Sequence, residues 1–581
     1  MRRPPLHKLR QFYDVRAFRS SLASLEALPQ FAILGILSGL VTGLTILAFR
    51  GLIEFTLHLL LPEGPDAFES MSLLERGLTP IAGASCIALY FHLMKGQDLK
   101  MGVAQVLERL SHHQGYMSLR NFIVQFVAGA LALISGQTGG REGPAIHLGA
   151  AASSLLGQRL SLPNNSIRVL VGCGAAAAIG SSFNTPIAGV IFAMEVILME
   201  YTIAGFMPVI LASVTGTLVV QFALGSESLF VVPSVGLSDW TEIPFIVLAG
   251  LMIGCIAAIF VRGVEALHPR LPGTQSLKLI LAGAVTGVLG LGIPEVLGIG
   301  YDTVNLALAG GIGFFLLLGI LVAKLVATTL SVSLGLPIGV VGPTLFIGAV
   351  CGAMLWHLSQ SLGLSGTHPA FFVLLGMGAM MGATLNAPLA ALMALMELTQ
   401  NSEIILPAML CIVVATITAV HGFKMKSLFE TQLKLQGIQL EHTPMRQVLR
   451  RVSVETLMST RFVRVKARIS RAEAEAVIKR NPIWLLVESP NNPTFIVLAE
   501  DVARYLGEQA NEDINLLEIP AIRRDTSAIS WRATLDEAFD TIAHHSVGAL
   551  IVTRMPAPGV TTPVGILLEE DIEAYSWRRR D

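Results

Sequence analysis

Gly136-Gln-Thr-Gly-Gly-Arg-Glu-Gly-Pro144 decides how this chain is read. The glycines let the backbone turn tightly and present its amides, Pro144 suits a first helical turn, and an apolar run follows. A helix start carries unpaired N–H groups and partial positive charge, so it attracts an anion. Glu142 puts a carboxylate in that same place, inside an apolar stretch where an ionisable side chain is costly and marks function. It reads as a tethered anion that competes with a diffusing one and lets go when protonated. The structural alternative is a simple helix cap or a pair with Arg141.

The pattern recurs further along. Gly143-Pro-Ala-Ile-His-Leu-Gly-Ala150 matches Gly342-Pro-Thr-Leu-Phe-Ile-Gly-Ala349 at an offset of 199, and Phe183-Asn-Thr-Pro…Glu195 matches Leu385-Asn-Ala-Pro…Glu397 at an offset of 202. Two matches in one order at nearly one offset indicate an internal repeat. The second copy has Gly335-Leu-Pro-Ile-Gly-Val-Val-Gly-Pro343, without a carboxylate, and its Val340 and Val341 amides are expected to face the same site.

Around these motifs the chain is a membrane protein. Of 581 residues 53% are apolar and 14% charged, against about 25% charged in soluble proteins. Residues 325–396 and 201–226 carry no Asp, Glu, Lys or Arg. Long apolar segments are expected at 31–49, 77–95, 119–135, 203–223, 243–262, 276–293, 312–332 and 404–421. Shorter ones fall at 145–157, 168–182, 186–199, 343–358, 370–384 and 387–398. A span needs about 20 helical residues, so the short ones read as broken half-helices, which survive in lipid only when buried in protein or lining a wet cavity. In repeated membrane halves such helices mark a binding site at the interface of the halves. The 55 glycines fit close helix packing.

Composition also excludes. A net charge of −1 argues against a nucleic-acid partner. The five cysteines, Cys86, Cys173, Cys255, Cys351 and Cys411, form no CxxC pair and read as small buried core residues. His147 and His357 stand alone, so no metal site is expected. No nucleophile–base pair or HExxH motif supports an enzyme. Arg120, Lys324 and Lys424 are expected to snorkel or to lend an entrance positive potential. The first 20 residues hold Arg2, Arg3, Lys8, Arg10, Arg16 and Arg19 against Asp14 and no visible cleavable signal peptide, which places the N-terminus in the cytoplasm.

From Leu440 onward the chain changes, holding 38 of the 81 charges in 142 residues. Helix–strand pairs at Arg471–Arg480 with Ile483–Val487, and at Leu535–His545 with Ala549–Thr553, correspond at an offset of 64. Strands are also expected at 495–498 and from Gly565. The tail therefore reads as two small α/β modules in tandem.

With these residues in hand, the chain resembles the CLC family of chloride channels and chloride/proton exchangers. Gly-Arg-Glu-Gly-Pro and the two Asn-x-Pro…Glu repeats carry the membrane match, and the tail is similar to a CBS-domain pair. The resemblance implies an all-α polytopic membrane protein with an inverted repeat of broken helices, followed by a soluble α/β CBS module. It implies a cytoplasmic segment at 1–29, a membrane domain at 30–430, a linker at 431–452 and the CBS pair at 453–581. It also implies a homodimer with one pore per subunit, Glu142 as the external gate, and anion contacts at Arg141, Glu142, Gly143, Val340 and Val341. The implied location is the bacterial inner membrane, in contact with lipid, with N-terminus and tail cytoplasmic.

Three departures bear on mechanism. The family's first anion motif falls on Lys100-Met101-Gly102-Val103-Ala104, where Met101 replaces a serine hydroxyl and cannot donate a hydrogen bond. Some fluoride exporters of the family also carry methionine there. The pore tyrosine falls on Phe429. The exchangers' inner proton-relay glutamate falls on Val196, one residue after Glu195, which is the other candidate relay, with packing as its alternative role. The expectation is chloride transport, channel-like because of Val196; a proton-coupled antiporter with altered coupling and fluoride transport are the alternatives. In the tail, the family's nucleotide signature keeps Gly565 and Asp571 but has Leu568 for the hydroxyl residue. That weakens the expectation of an adenine nucleotide and leaves a packing or gating role beside it; no other cofactor is expected.

Overall fold

The structure, a computed structural model, describes residues 28–578 apart from 62–63, 65, 95–99, 202, 226–229, 231, 234, 238, 269–272, 363–366, 440–443, 489–493, 510–512 and 558–559. The basic N-terminal segment and residues 440–443 of the linker lie outside the described residues.

Apolar runs without interior turn signals become helices. In chain order these are α1 Leu28–Leu60, α2 Leu73–Leu93, α3 Gly102–His112, α4 Leu119–Ile134, α5 Glu142–Arg159, α6 Asn164–Phe183, α7 Pro186–Phe192, α8 Ile203–Leu224 and α9 Ile243–Leu267. There follow α10 Gln275–Gly292, α11 Tyr301–Leu308, α12 Phe314–Ser333, α13 Val341–Ser361, α14 Pro369–Leu385, α15 Pro388–Thr399, α16 Ile405–Ile417 and α17 Leu428–Leu435. Among the described residues, eight helices are long and apolar enough to cross a membrane. Small residues set their closest approaches: Gly35, Gly39 and Gly43 of α1 lie on the backbone of Pro208, Ala212 and Gly216 in α8, with no room for a Cβ.

Two segments read as half-helices are long enough to rank among the candidate spans. The 168–182 run extends to Asn164–Phe183, and the 343–358 run to Val341–Ser361. Polar residues at their ends hid the helical periodicity, and their interiors are buried in protein rather than facing lipid. The short helices α7 and α15 remain short, each beginning at the proline of its Asn-x-Pro motif.

The repeat meets itself at two places. Gly140 and Gly339, equivalent at the offset of 199, form an antiparallel bridge: Gly140 N–H donates to Gly339 O at 2.9 Å and Gly339 N–H to Gly140 O at 2.8 Å. Glu195 and Glu397 likewise cap each other's repeat. Glu195 accepts from the amides of Leu389 (3.3 Å) and Ala390 (2.7 Å) at the start of α15. Glu397 accepts from Ile187 (2.9 Å) and Ala188 (2.6 Å) at the start of α7. Antiparallel pairing of equivalent residues is what two halves related by a local two-fold axis give.

The tail is a separate unit, from His442 onward with residues 161–166. Its strands are β1 Phe462–Lys466, β2 Arg468–Ser470, β3 Trp484–Glu488, β4 Phe495–Leu498, β5 Asp513–Asn515, β6 Arg524–Ser530, β7 Ala549–Ala557 and β8 Val560–Leu568. Six make one sheet in the order β1-β3-β4-β6-β7-β8. Each module has a parallel pair around a helix, β1 with β3 and β6 with β7, then an antiparallel hairpin. The two helices, Arg471–Ile478 and Leu535–His545, start at capping boxes on Ser470 and Thr534. Cys86 is exposed, unlike the buried Cys173, Cys351 and Cys411, because it lies on the outer face of α2.

Candidate functional site

Glu142 opens α5, and its side chain is fully buried. The amide of Gly342 donates to Oε2 at 3.1 Å and the hydroxyl of Tyr301 donates to Oε1 at 3.1 Å. The Gly140–Gly339 bridge holds the two loops so close that a Cβ on Gly140 would fall on Oε2 of Glu142. Glycine is required there by contact, not by turn conformation. The carboxylate thus occupies a cradle made by both repeats, where the amide of Gly342 and the Tyr301 hydroxyl converge on negative charge. Arg141 does not pair with it: its Nη1 reaches Glu54 Oε1 at 3.5 Å, and its guanidinium lies 6.0 Å from the Tyr301 ring centre.

Two cavities flank the cradle. One, of about 400 Å³, is lined by Arg50, Glu54, Asp66, Arg141, Gln221 and Tyr301. The other, of about 560 Å³, is lined by Lys100, Met101, Gly143, Gly339, Val340 and Phe429. Met101 stands at the N-cap of α3. Phe429 sits in α17 and is 3% exposed. The amide bonded to Glu142 belongs to Gly342; Val340 lines the larger cavity, while Val341 lines a small apolar space of about 20 Å³ beside Glu142 with Ile146, Ile179, Phe183 and Leu345. The structure therefore brings together Met101, Gly143, Val340 and Phe429 around one cavity and places Arg141 in the lining of the other.

Val196 is buried in a π-helical turn, Ala193–Leu198, that packs against α3. The neighbouring Glu195 has both oxygens engaged by the α15 amides. His147 faces Gly102 O (3.4 Å) and His357 faces Ile312 O (2.9 Å). Lys324 corrects the snorkelling expectation. It is fully buried, donates to the carbonyls of Val296 (3.0 Å) and Gly298 (2.9 Å), and stands 4.5 Å over the Phe346 ring, so three local partners replace water. In the tail, Gly565 lies in β8 under the Met458 side chain, and Asp571 is in the first turn of the final helix, Glu569–Arg578. Burial raises the Asp571 carboxyl above the usual carboxylate range.

The sequence reading missed Tyr301, Arg50 and Glu54, and placed the second repeat's amide contact on Val340 and Val341 where Gly342 makes the bond to Glu142. Tyr301 lies 159 positions from Glu142. Its one local signal is the Gly298-Ile-Gly300 turn before it, with both glycines left-handed.

A family model described as "Voltage gated chloride channel" matches residues 81–420. The chain is similar to a ClcB-like protein of Ralstonia nicotianae, 33% identical over 357 residues, covering 59% of this chain and 82% of that one. The chloride channel protein CLC-f of Arabidopsis thaliana is 25% identical over 606 residues, 91% of this chain and 76% of that one. The H(+)/Cl(-) exchange transporter ClcA of Vibrio cholerae is 27% identical over 340 residues, 55% and 72%. Among solved structures, a slow cyanobacterial Cl-/H+ antiporter superposes with a TM-score of 0.60 at 24% identity, over 70% of this chain and 97% of that one. A eukaryotic CLC transporter superposes with 0.59 at 17% identity, over 94% and 99%.

Proposed function

The chain belongs to the voltage-gated chloride channel family, and we propose that it passes chloride through the membrane by a passive, Glu142-gated route. One observation carries the reading: the Glu142 carboxylate fills an amide-and-hydroxyl cradle between two cavities. An anion crossing from one cavity to the other must take the place the carboxylate holds. Charge-assisted hydrogen bonds of about 1.5–3 kcal/mol each keep it there, and protonation or displacement by chloride releases it.

The Vibrio relative's name couples chloride to protons. Three features support a passive route here. Valine stands at the relay position, 196. Glu195 spends both oxygens on capping α15. The space beside Glu142 holds about 20 Å³ lined mostly by apolar side chains, room for about one water and too little for a proton wire. Chloride is favoured over fluoride because Met101 is the one feature pointing to fluoride. The working unit is a homodimer in the bacterial inner membrane with the tail in the cytoplasm. The tail serves as a CBS-type gating module, in which Leu568 removes a hydroxyl from the nucleotide signature around Gly565 and Asp571.

Chloride efflux from liposomes tests the reading. Purified protein should release chloride, and Glu142→Gln, which cannot compete as an anion, should raise the rate or remove its pH dependence. No chloride flux from folded wild-type protein contradicts it.

A further inference from the structure

The cavity on the Arg141 side holds more paired charge than the gate uses. Arg50 Nε and Nη2 reach Glu54 Oε1 at 3.1 and 2.9 Å, one helical turn along α1. Arg141 Nη1 reaches the same oxygen at 3.5 Å. One carboxylate oxygen is thus shared by two guanidinium groups from different parts of the membrane unit. Arg50 Nη1 also donates to the Ser181 carbonyl at 3.4 Å, which fixes its plane over the end of α6. Donors remain in surplus: among the described residues, Arg141 Nε and Nη2 are enclosed and bond nothing in the protein. Two guanidinium groups around one carboxylate, Arg141 keeping two unbonded nitrogens, are a receptor for a small anion, and the carboxylate is its built-in occupant.

We propose that Arg50 and Arg141 form a waiting site for the permeating anion, one step before Glu142, and that Glu54 is the tethered carboxylate an arriving anion displaces. The inference rests on the anion-transport reading above and adds a second competitor to it. The ligand class is a monovalent halide or a planar monovalent oxyanion such as nitrate, whose edge matches a guanidinium fork. Asp66 lines the same cavity, so the two arginines face two carboxylates, and the site holds an anion weakly enough to pass it on. Arg141 links the two positions, because its guanidinium lies over the Tyr301 ring and the Tyr301 hydroxyl bonds Glu142.

Chloride currents of the full-length protein in planar bilayers, titrated with chloride from each face separately, test this. Glu54→Gln, nearly isosteric, removes the competitor, and the half-saturating chloride concentration on one face should fall about tenfold. Arg50→Gln should raise it about tenfold on that same face, and Arg50→Lys, which keeps the charge, should raise it less. Glu54→Gln and Arg50→Lys keep the test informative where Arg50→Gln fails to fold. Half-saturation within twofold of wild type in both Glu54→Gln and Arg50→Lys, or equal shifts from both faces, overturns the waiting site while leaving anion transport standing. A wild-type protein with no chloride current overturns both.

Discussion

Glu195 and Glu397 each cap the helix that begins at the other repeat's Asn-x-Pro proline, through two backbone amides apiece. The exchange ties the two halves of the membrane unit together. It also engages both oxygens of Glu195, the residue before Val196, with the amides of Leu389 and Ala390.

Replacing either cap should therefore cost stability rather than coupling. Glu195→Ala and Glu397→Ala each strand two helix-start N–H groups, and each should destabilise the membrane unit by about 1–3 kcal/mol. Thermal unfolding in detergent should show similar losses for both, as symmetry demands. A Glu195→Ala protein of wild-type stability that has lost proton movement would identify a relay instead.

The Tyr301 hydroxyl donates one hydrogen bond to the Glu142 carboxylate, and under the proposed gating this bond keeps the carboxylate in place. Tyr301→Phe keeps the ring, which packs edge-on to Phe230 at 5.4 Å, and removes only the hydroxyl. A charge-assisted bond of about 1.5 kcal/mol or more is lost, so chloride efflux at neutral pH should rise several-fold. The variant should respond less to a further Glu142→Gln change than wild type does. An efflux rate unchanged by Tyr301→Phe would remove the hydroxyl from the gate.

In the tail, Glu455 illustrates a pH dependence of known sign. Burial raises its carboxyl, with Arg554 only 3.9 Å away opposing the shift. An acid whose folded pKa lies above its unfolded one binds more protons when folded. Its effect on stability is therefore nil below the unfolded carboxylate range and unfavourable as pH rises through the folded value. Glu455→Gln should slow amide hydrogen exchange in Val560–Leu568 at pH 7.5, compared with wild type at the same pH, and the difference should close near pH 4. A difference that grows toward acid would reverse the sign.

Much of this architecture was legible in the sequence, for physical reasons. The Gly/Pro pattern around Glu142 and its echo at Gly342 had to be written locally, because turns, helix starts and close glycine approaches depend on neighbouring residues. The two Asn-x-Pro…Glu motifs were visible as a repeat, but their reciprocal capping was not, since it joins residues 194 to 210 positions apart. Tyr301 and Glu54 were invisible for the same reason: their partners lie far along the chain, and the glycine turn before Tyr301 does not say what its side chain reaches. Lys324 misled because a lone lysine in an apolar helix normally seeks water, and only the fold supplies the carbonyls of Val296 and Gly298 that let it stay inside.

The most direct test of a passive, Glu142-gated route is the reversal potential of purified wild-type protein in a bilayer under opposed chloride and proton gradients. A passive route gives a potential at the chloride equilibrium value that does not move when the proton gradient is changed. A potential displaced by the proton gradient in a fixed ratio would contradict it and make this chain an exchanger with a proton path that bypasses Val196.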